Sequence, residues 1–427
     1  MPDQPIHVAI IGGSLGGCSL ALGIHLLERQ DITFDVFEAW SFSERGAGVG
    51  VHPNGQAALR ELGVDADAIL ARAGAFREKT TEAIVAYGEH EGKYLMELPP
   101  MGIQCVLRKT LLDEMVKLLP HERMHANKKL VAIEEGERMV LNFEDGTSYE
   151  ADAVVGCDGL RSTVRGFILG KDHPAVPPRF TGYWDARAFM MAEDSREAWG
   201  DEIVQHDNPR EYFKVGEGCT MLFASAPKGH LGGVVVAGAA GPEEMDMVDN
   251  AKKPLTREFL EKRFGGWGKP YVKGVIDCLL NPDCGPGILF GEYESQDAPT
   301  WCRDRMCIMG DAAHAALPWM GQGFSMAAED AAVMTALLGE VKSRNDLEHA
   351  FRAFDKQRRG PGSRPDFVVK KNEQVAALCA GQKGLDPATA TQGLEPMADL
   401  FMHLWQGDIK KEIKQAVDAF QEMRSSH

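Results

Sequence analysis

An α/β fold is predicted for this chain: a parallel-sheet domain in discontinuous pieces, an inserted β-rich domain and a helical C-terminal tail. Three stretches carry that prediction. In "IHVAIIG" (6–12) a buried-strand pattern runs into a glycine cluster and then into helix-forming residues. In "RMCIMGDAAH" (305–314) the same apolar strand ending in glycine returns late in the chain. Between them, residues 178–297 read as short strands separated by glycine and proline.

The elements follow in order. A helix over 17–30 and a second strand, "ITFDVFE" (32–38), complete a βαβ beginning of the expected size. Read in register with Gly-x-Gly-x-x-Gly, the turn puts Gly12 first and Gly17 third. Ser14 takes the second place, where a pyrophosphate approaches the backbone closely. Glu38 ends the second strand, about 20 residues beyond the last glycine, where an acid reads a ribose. The glycine-rich loop "ERGAGVGVHPNG" (44–55) precedes a short helical pattern, and "EAIVAYGEHEGKYLMEL" (82–98) alternates like paired strands. "IQCVLRKTLLDEMVKLL" (103–119) is a strand followed by an amphipathic helix. From residue 130 hairpins are expected, with "EDGT" (144–147) as a turn signal.

Two later stretches repeat the logic of a strand delivering an acid to a turn. "VVGCDGLRSTVR" (154–165) brings Asp158 and Gly159 to a turn, with Arg161 and Arg165 at helical spacing and suited to phosphate oxygens. "MGDAAHAALPWMGQGFSMAAEDAAVM" (309–334) ends a strand at Asp311. Its amides at Gly321, Gln322 and Gly323 then open a helix, a positive pole for an anion. The tail from about residue 345 is helical, interrupted at "GPGSRP" (360–365).

Composition narrows the partners. A formal net charge of −17 over 427 residues argues against nucleic acid, which requires clustered Lys and Arg. Apolar runs such as "GVVVAGAAG" fall well short of the ~20 residues that span a bilayer, and no leader pattern opens the chain, so a cytoplasmic location with no membrane partner is expected. Nine cysteines without a Cys-x-x-Cys pair suggest neither a zinc site nor a disulfide framework, and no metal is expected. Cys302 and Cys307 have redox-pair spacing, but the apolar run "MCIM" makes Cys307 a buried, inert thiol.

The three acid-bearing segments together resemble the FAD-dependent aromatic hydroxylases, the single-component flavoprotein monooxygenases. "RGAGVGVHPNG", the arginine of "VLRKTLLDEM" and "FTGYWDARAF" (180–189) extend the similarity towards the salicylate and hydroxypyridine or hydroxynicotinate hydroxylase branch, over roughly residues 6–360. The resemblance implies a Rossmann-like FAD-binding domain (1–77, 101–177 and 298–360), a substrate-binding β-sheet domain (78–100 and 178–297) and a C-terminal helical segment (361–427). It also implies that FAD is held by Gly12, Ser14, Gly17, Glu38, Arg45, Arg108, Asp158, Asp311, Gly321 and Gly323. Pro318 and the Gly321–Gly323 turn would border the ring and the substrate. With no second dinucleotide fingerprint, NADH or NADPH would act as a transient reductant. The implied chemistry is hydroxylation of a small phenolic or N-heteroaromatic substrate by O2 through a flavin C4a-hydroperoxide, in a dry pocket with a base or a cation near the ring hydroxyl. His52 and Tyr212 are the candidate catalytic residues, and Trp184, Arg187 and Pro318 the candidate substrate contacts. For Tyr212, Trp184 and Arg187 simple packing is the competing role, and His314 is a structural neighbour of the cofactor. A monomer or homodimer suits this reading. The alternatives are a flavin monooxygenase of a polyketide or alkaloid pathway (epoxidation, dearomatisation) and a non-catalytic flavin-binding regulatory protein.

Overall fold

Ile6–Ile11 is buried along its whole length, so it needs a neighbour on each edge and cover on each face. In the computed structural model, which describes residues 5–42, 48–98, 100–241, 251–379, 401–402, 404–405 and 407–426, it has both. Ile32–Phe37 pairs with it in parallel on one side and Ala153–Gly156 on the other. Met124–His125 and Met306–Ile308 extend the sheet outward, also in parallel, and Cys302–Arg303 closes one edge as an antiparallel hairpin. The helices Leu15–Leu26 and Gly323–Glu340 pack together with small residues between them. A Cβ on Gly16 would stand 3.4 Å from the Ala327 Cβ, and one on Gly23 only 2.1 Å from Thr335 Oγ1.

A second sheet runs, edge to edge, through Lys252–Pro254, Ile288–Glu294, Arg179–Met191, Leu231–Ala239, Cys219–Ser225, Arg210–Gly216, Thr80–Val85 and Tyr94–Leu98. All pairings are antiparallel except Arg210–Gly216 with Thr80–Val85. Strand alternation gives this sheet two unlike faces. Trp184, Tyr212, Met221, Phe223 and Val236 join one apolar core with residues of the helices Arg257–Phe264 and Pro270–Leu280. Their neighbours one residue along line a cavity.

The described parts of the C-terminal chain pack on both sheets: Val368, Val375, Phe401 and Leu404 share a core with Ala83, Val85, Phe213 and Val215 of the second. Ile409–Ser425 places Ile409, Ala416 and Phe420 in the same core as the parallel sheet. Within "MADLFMHLW" (397–405), Phe401 and Leu404 are buried, and residues 397–400 and 403 lie outside the described residues. Among the described residues no helix is long and apolar enough to cross a membrane.

A buried carboxylate fixes the edge of the first sheet. Asp35 accepts from His125 Nε2 (2.5 Å), Tyr149 OH (2.8 Å) and Arg123 Nη1 (3.0 Å), with His7 Nε2 at 3.2 Å. Burial alone would raise its pKa, but these partners outweigh it and hold the group at about 2. Because the folded value lies below the ordinary carboxylate value, this stabilisation is present above about pH 4 and fades as pH falls towards 2. Asp35→Asn is expected to lose about 2 kcal/mol near neutrality by urea unfolding, with the deficit narrowing below about pH 4. A deficit independent of pH would contradict this.

Candidate active site

The parallel strands end at one edge, and that edge collects the acids. Gly12 follows Ile6–Ile11, Glu38 follows Ile32–Phe37, Asp158 follows Ala153–Gly156, and Asp311 follows Met306–Ile308. Ligands of open α/β sheets lie at this carboxyl edge. The glycine turn is tight: Gly12 has φ +103°, and a Cβ there would sit 2.3 Å from the Cys157 carbonyl oxygen. Glu38 Oε2 accepts from the Gly13 amide at 2.7 Å, so the acid also braces the turn.

Ser14 precedes the helix Leu15–Leu26 without capping it by side chain, and that helix has no acid in its first turn. Its hydroxyl instead accepts from Arg108 Nη2 at 2.7 Å. A helix N-terminus without a side-chain cap beside a guanidinium is a fitting donor set for a pyrophosphate, and Ser14 is the link between the two. The carboxylate of Asp311, exposed at the strand end, makes no hydrogen bond among the described residues. An FAD-sized dinucleotide suits these groups.

Two expectations for this edge change. Asp158 is spent within its own turn, accepting from Ser162 Oγ, Thr163 N and Val164 N, so it shapes the loop rather than offering a free carboxylate. Arg165 points inward: its buried guanidinium donates to the carbonyls of Ala175, Ala312, Ala313 and Gln296, clamping two helices instead of reaching for phosphate. Arg45 lies outside the described residues. Cys302 and Cys307 face each other across a strand pair as free thiols, both pushed up by burial, Cys302 to about 11.

Behind the edge runs a buried ion network. Arg358, fully buried, donates to Asp330 Oδ1 (2.6 Å), Glu329 Oε2 (3.1 Å) and Glu412 Oε2 (2.5 Å) of the C-terminal helix. Arg364 also bonds Glu329. Asp330 Oδ2 holds the Gly310 amide and His314 Nε2, so His314 is a structural strut at the Asp311 turn. Asn54 Nδ2 bridges Glu329 to Gln322 at the Gly321–Gly323 turn.

Between the eight-stranded sheet and the antiparallel pair Gly48–Val51 and Gln104–Leu107 lies an apolar cavity of about 500 Å³. Phe189, Phe213, Leu222 and Val235 form its floor, and Pro318, Trp319, Gly321 and His52 stand at its nucleotide end. Leu107 and Thr110 flank Arg108, so one short segment joins the cavity to the glycine turn. Arg187 and Pro318 line the cavity, but Tyr212 and Trp184 do not. Each points to the opposite face of its strand; Trp184 is fully buried there and donates to the Ala239 carbonyl. A one-residue step decides this: Glu211, Phe213 and Val215 line the cavity while Tyr212 packs behind.

His52 lines the nucleotide end of the cavity with its ring buried. Trp405 Nε1 donates to its Nδ1 at 3.2 Å, and an indole is only a donor, so the proton of the neutral ring is on Nε2. That nitrogen faces the turn: a Cβ on Gly321 would stand 2.9 Å from it. Burial pulls the ring pKa down to about 4, making His52 a fixed donor. Ring-nitrogen NMR is expected to show no protonation of His52 above about pH 5, whereas an ordinary titration near 6.5 would contradict this assignment.

The sequence reading missed the polar wall opposite. Arg187 forms a two-point ion pair with Asp185 (2.9 Å each), and Glu292, 5% exposed, accepts from Trp319 Nε1 at 2.8 Å. Burial, with the Asp185 charge adding to it, pushes Glu292 up to about 8. At the far end Glu211 is pushed up by burial to about 7. Among the described residues no cluster of three or more metal-ligating side chains occurs.

Comparison with known proteins identifies the family and the fold. A family model described as an FAD binding domain matches residues 5–170 and 292–360. A 6-methylsalicylate 1-monooxygenase of Aspergillus terreus is 31% identical over 435 residues, 97% of this chain and 92% of the relative. An FAD-dependent monooxygenase of Monascus ruber is 34% identical over 345 residues, 78% of this chain and 76% of its own. A salicylate hydroxylase solved as a substrate complex matches with a TM-score of 0.78 at 25% identity, over 97% of this chain and 98% of that one.

Proposed function

The chain belongs to the FAD-dependent monooxygenases of the salicylate hydroxylase type, and on that premise we propose that it hydroxylates a small phenolic or N-heteroaromatic ring, with NADH or NADPH as transient reductant. The observation that carries the substrate reading is the apolar cavity closed at one end by Pro318, Trp319 and Gly321. Its volume of about 500 Å³ accepts one or two fused rings together with part of a cofactor ring.

FAD, when bound, supplies activation of O2 for transfer of one oxygen atom. The chain does the rest. The Gly12–Gly17 turn, Ser14 and Arg108 would hold the pyrophosphate, Glu38 the adenosine ribose and Asp311 the ribityl side. Amides of the Gly321–Gly323 turn and the Nε2–H of His52 would meet the polar edge of the ring system as donors. The apolar floor excludes water, which would otherwise divert oxygen to peroxide.

Purified protein is expected to be yellow, to be reconstituted by FAD after stripping, and to consume NADH or NADPH with a panel of hydroxyarenes while releasing a hydroxylated product. Consumption recovered wholly as peroxide across the panel would overturn the substrate reading and leave the family assignment standing.

A further inference from the structure

Glu292 occupies the middle strand of a three-strand wall, between Lys252–Pro254 on the edge and Arg179–Met191 within. The carboxylate is nearly sealed, 5% exposed, yet lines the cavity. Only one of its oxygens is committed: Oε2 accepts from Trp319, whose neighbours Pro318 and Gly321 form the nucleotide end of the same cavity. Among the described residues Oε1 has no hydrogen-bond partner. The one arginine nearby is already held by both oxygens of Asp185, so it does not pair with Glu292.

We propose that Glu292 accepts, through Oε1, the proton of a ring hydroxyl on the substrate and is thereby a catalytic residue of the hydroxylation. The O–H bond breaks, the electron pair stays on the ring oxygen, and the proton resides on Glu292 until product leaves and water removes it. Electron density at the ring carbons ortho and para to that oxygen rises, which is what an electrophilic oxygen donor requires. Trp319 fixes the carboxylate plane as the positioning residue. Arg187, its charge part-neutralised by Asp185, steadies the new negative charge on the ring oxygen.

The pH behaviour follows from the surroundings. The charged and titratable groups around this wall are Asp185 and Arg187 on the adjacent strand, Lys252 over Phe290 on the edge strand, His52 at the nucleotide end, and Glu211, His230 and the Cys105 thiol, pushed up by burial, elsewhere on the cavity wall. Burial and Asp185 hold Glu292 protonated into the neutral range, with its midpoint at about 8. A base must be unprotonated to act, so turnover rises with pH up to that midpoint, about ten-fold per unit below it.

The inference rests on the hydroxylase reading, and its test separates the two. Holoenzyme and its Glu292→Gln and Glu292→Asp variants are titrated with resorcinol and with 1,3-dimethoxybenzene, followed by the change in flavin absorbance from about pH 6 to about pH 9, and product is measured with resorcinol. Wild type is expected to prefer resorcinol increasingly as pH rises. Glu292→Gln, with FAD retained, is expected to lose that pH dependence and to form product about 10²–10⁴-fold more slowly, and Glu292→Asp to keep part of both. Equal pH-independent preference in wild type and Glu292→Gln, or no binding of resorcinol at any pH, overturns the role of Glu292. If Glu292→Gln does not retain FAD, the wild-type resorcinol profile alone decides, a flat one being contradictory. Binding that follows the predicted pH pattern without any hydroxylated product overturns the hydroxylase reading instead.

Discussion

Arg358→Met is expected to destabilise the protein by about 3–5 kcal/mol and to weaken FAD retention with it. The guanidinium is fully buried and meets Glu329, Asp330 and Glu412, which come from two helices far apart in sequence. Removing it leaves Glu329 buried with Arg364 and the neutral Asn54 amide, and Asp330 buried with His314 and the Gly310 amide. An uncompensated buried charge costs far more than the pair gains, which is why one side of such a network is worth so much in a truncation. Domains of this kind are stable by about 5–15 kcal/mol, so the loss is a large share of the total. The FAD effect follows from Asp330, which also fixes the Gly310 amide beside Asp311. Urea unfolding measures the first effect and cofactor dissociation the second. The exposed pair Lys414–Asp418, removed as a control, is expected to change neither measurably. A loss for Arg358→Met no larger than that control would show that the network carries no strain-bearing role.

Gly12→Ala is expected to abolish FAD retention while leaving the sheets folded. At φ +103° a side chain is strained by about 1–3 kcal/mol wherever it sits. Here the added Cβ also meets the Cys157 carbonyl at 2.3 Å and the Asp158 amide at 2.9 Å, both backbone atoms that cannot rotate away. The glycine turn and the Asp158 turn must then part, and with them the edge that holds the pyrophosphate. Gly218→Ala separates strain from collision: φ is +72°, and nothing lies within 4 Å of its Cβ position. That variant is expected to lose stability modestly and to keep FAD. Equal FAD loss in both would contradict a collision at the edge.

The parts of the site legible in sequence are those built by neighbouring residues. A strand, a glycine turn and a helix lie within about thirty residues, so Gly12, Glu38 and Asp311 can be placed from periodicity and turn chemistry alone. Ser14 was legible as a departure from the motif, but its partner was not, because Arg108 comes from 94 residues away. Trp405 is further still, 353 residues from His52, and nothing local to either announces the bond that sets the histidine's proton. Register explains the misplaced aromatics. In an alternating strand, one residue of error exchanges the faces, so Tyr212 and Trp184 went to the core while Glu211 and Asp185 went to the cavity. Glu292 left a signal that could have been used: with Glu294 it puts two acids into the strand "ILFGEYE", and a buried carboxylate has to have a partner or a purpose. Asp158 and Arg165 show the converse. An aspartate there suits ribose or amide donors and an arginine suits phosphate oxygens, but the backbone groups of their own turn and of the adjacent helix are closer and claim them first.

The most direct measurement of the central claim is oxygen labelling: holoenzyme, NADH or NADPH, and resorcinol under heavy-isotope dioxygen, with the product analysed by mass spectrometry. The expected product carries one labelled oxygen on a ring carbon ortho or para to a hydroxyl, formed in step with nucleotide consumption. Label recovered only as peroxide, or a product whose new oxygen comes from water, would contradict it.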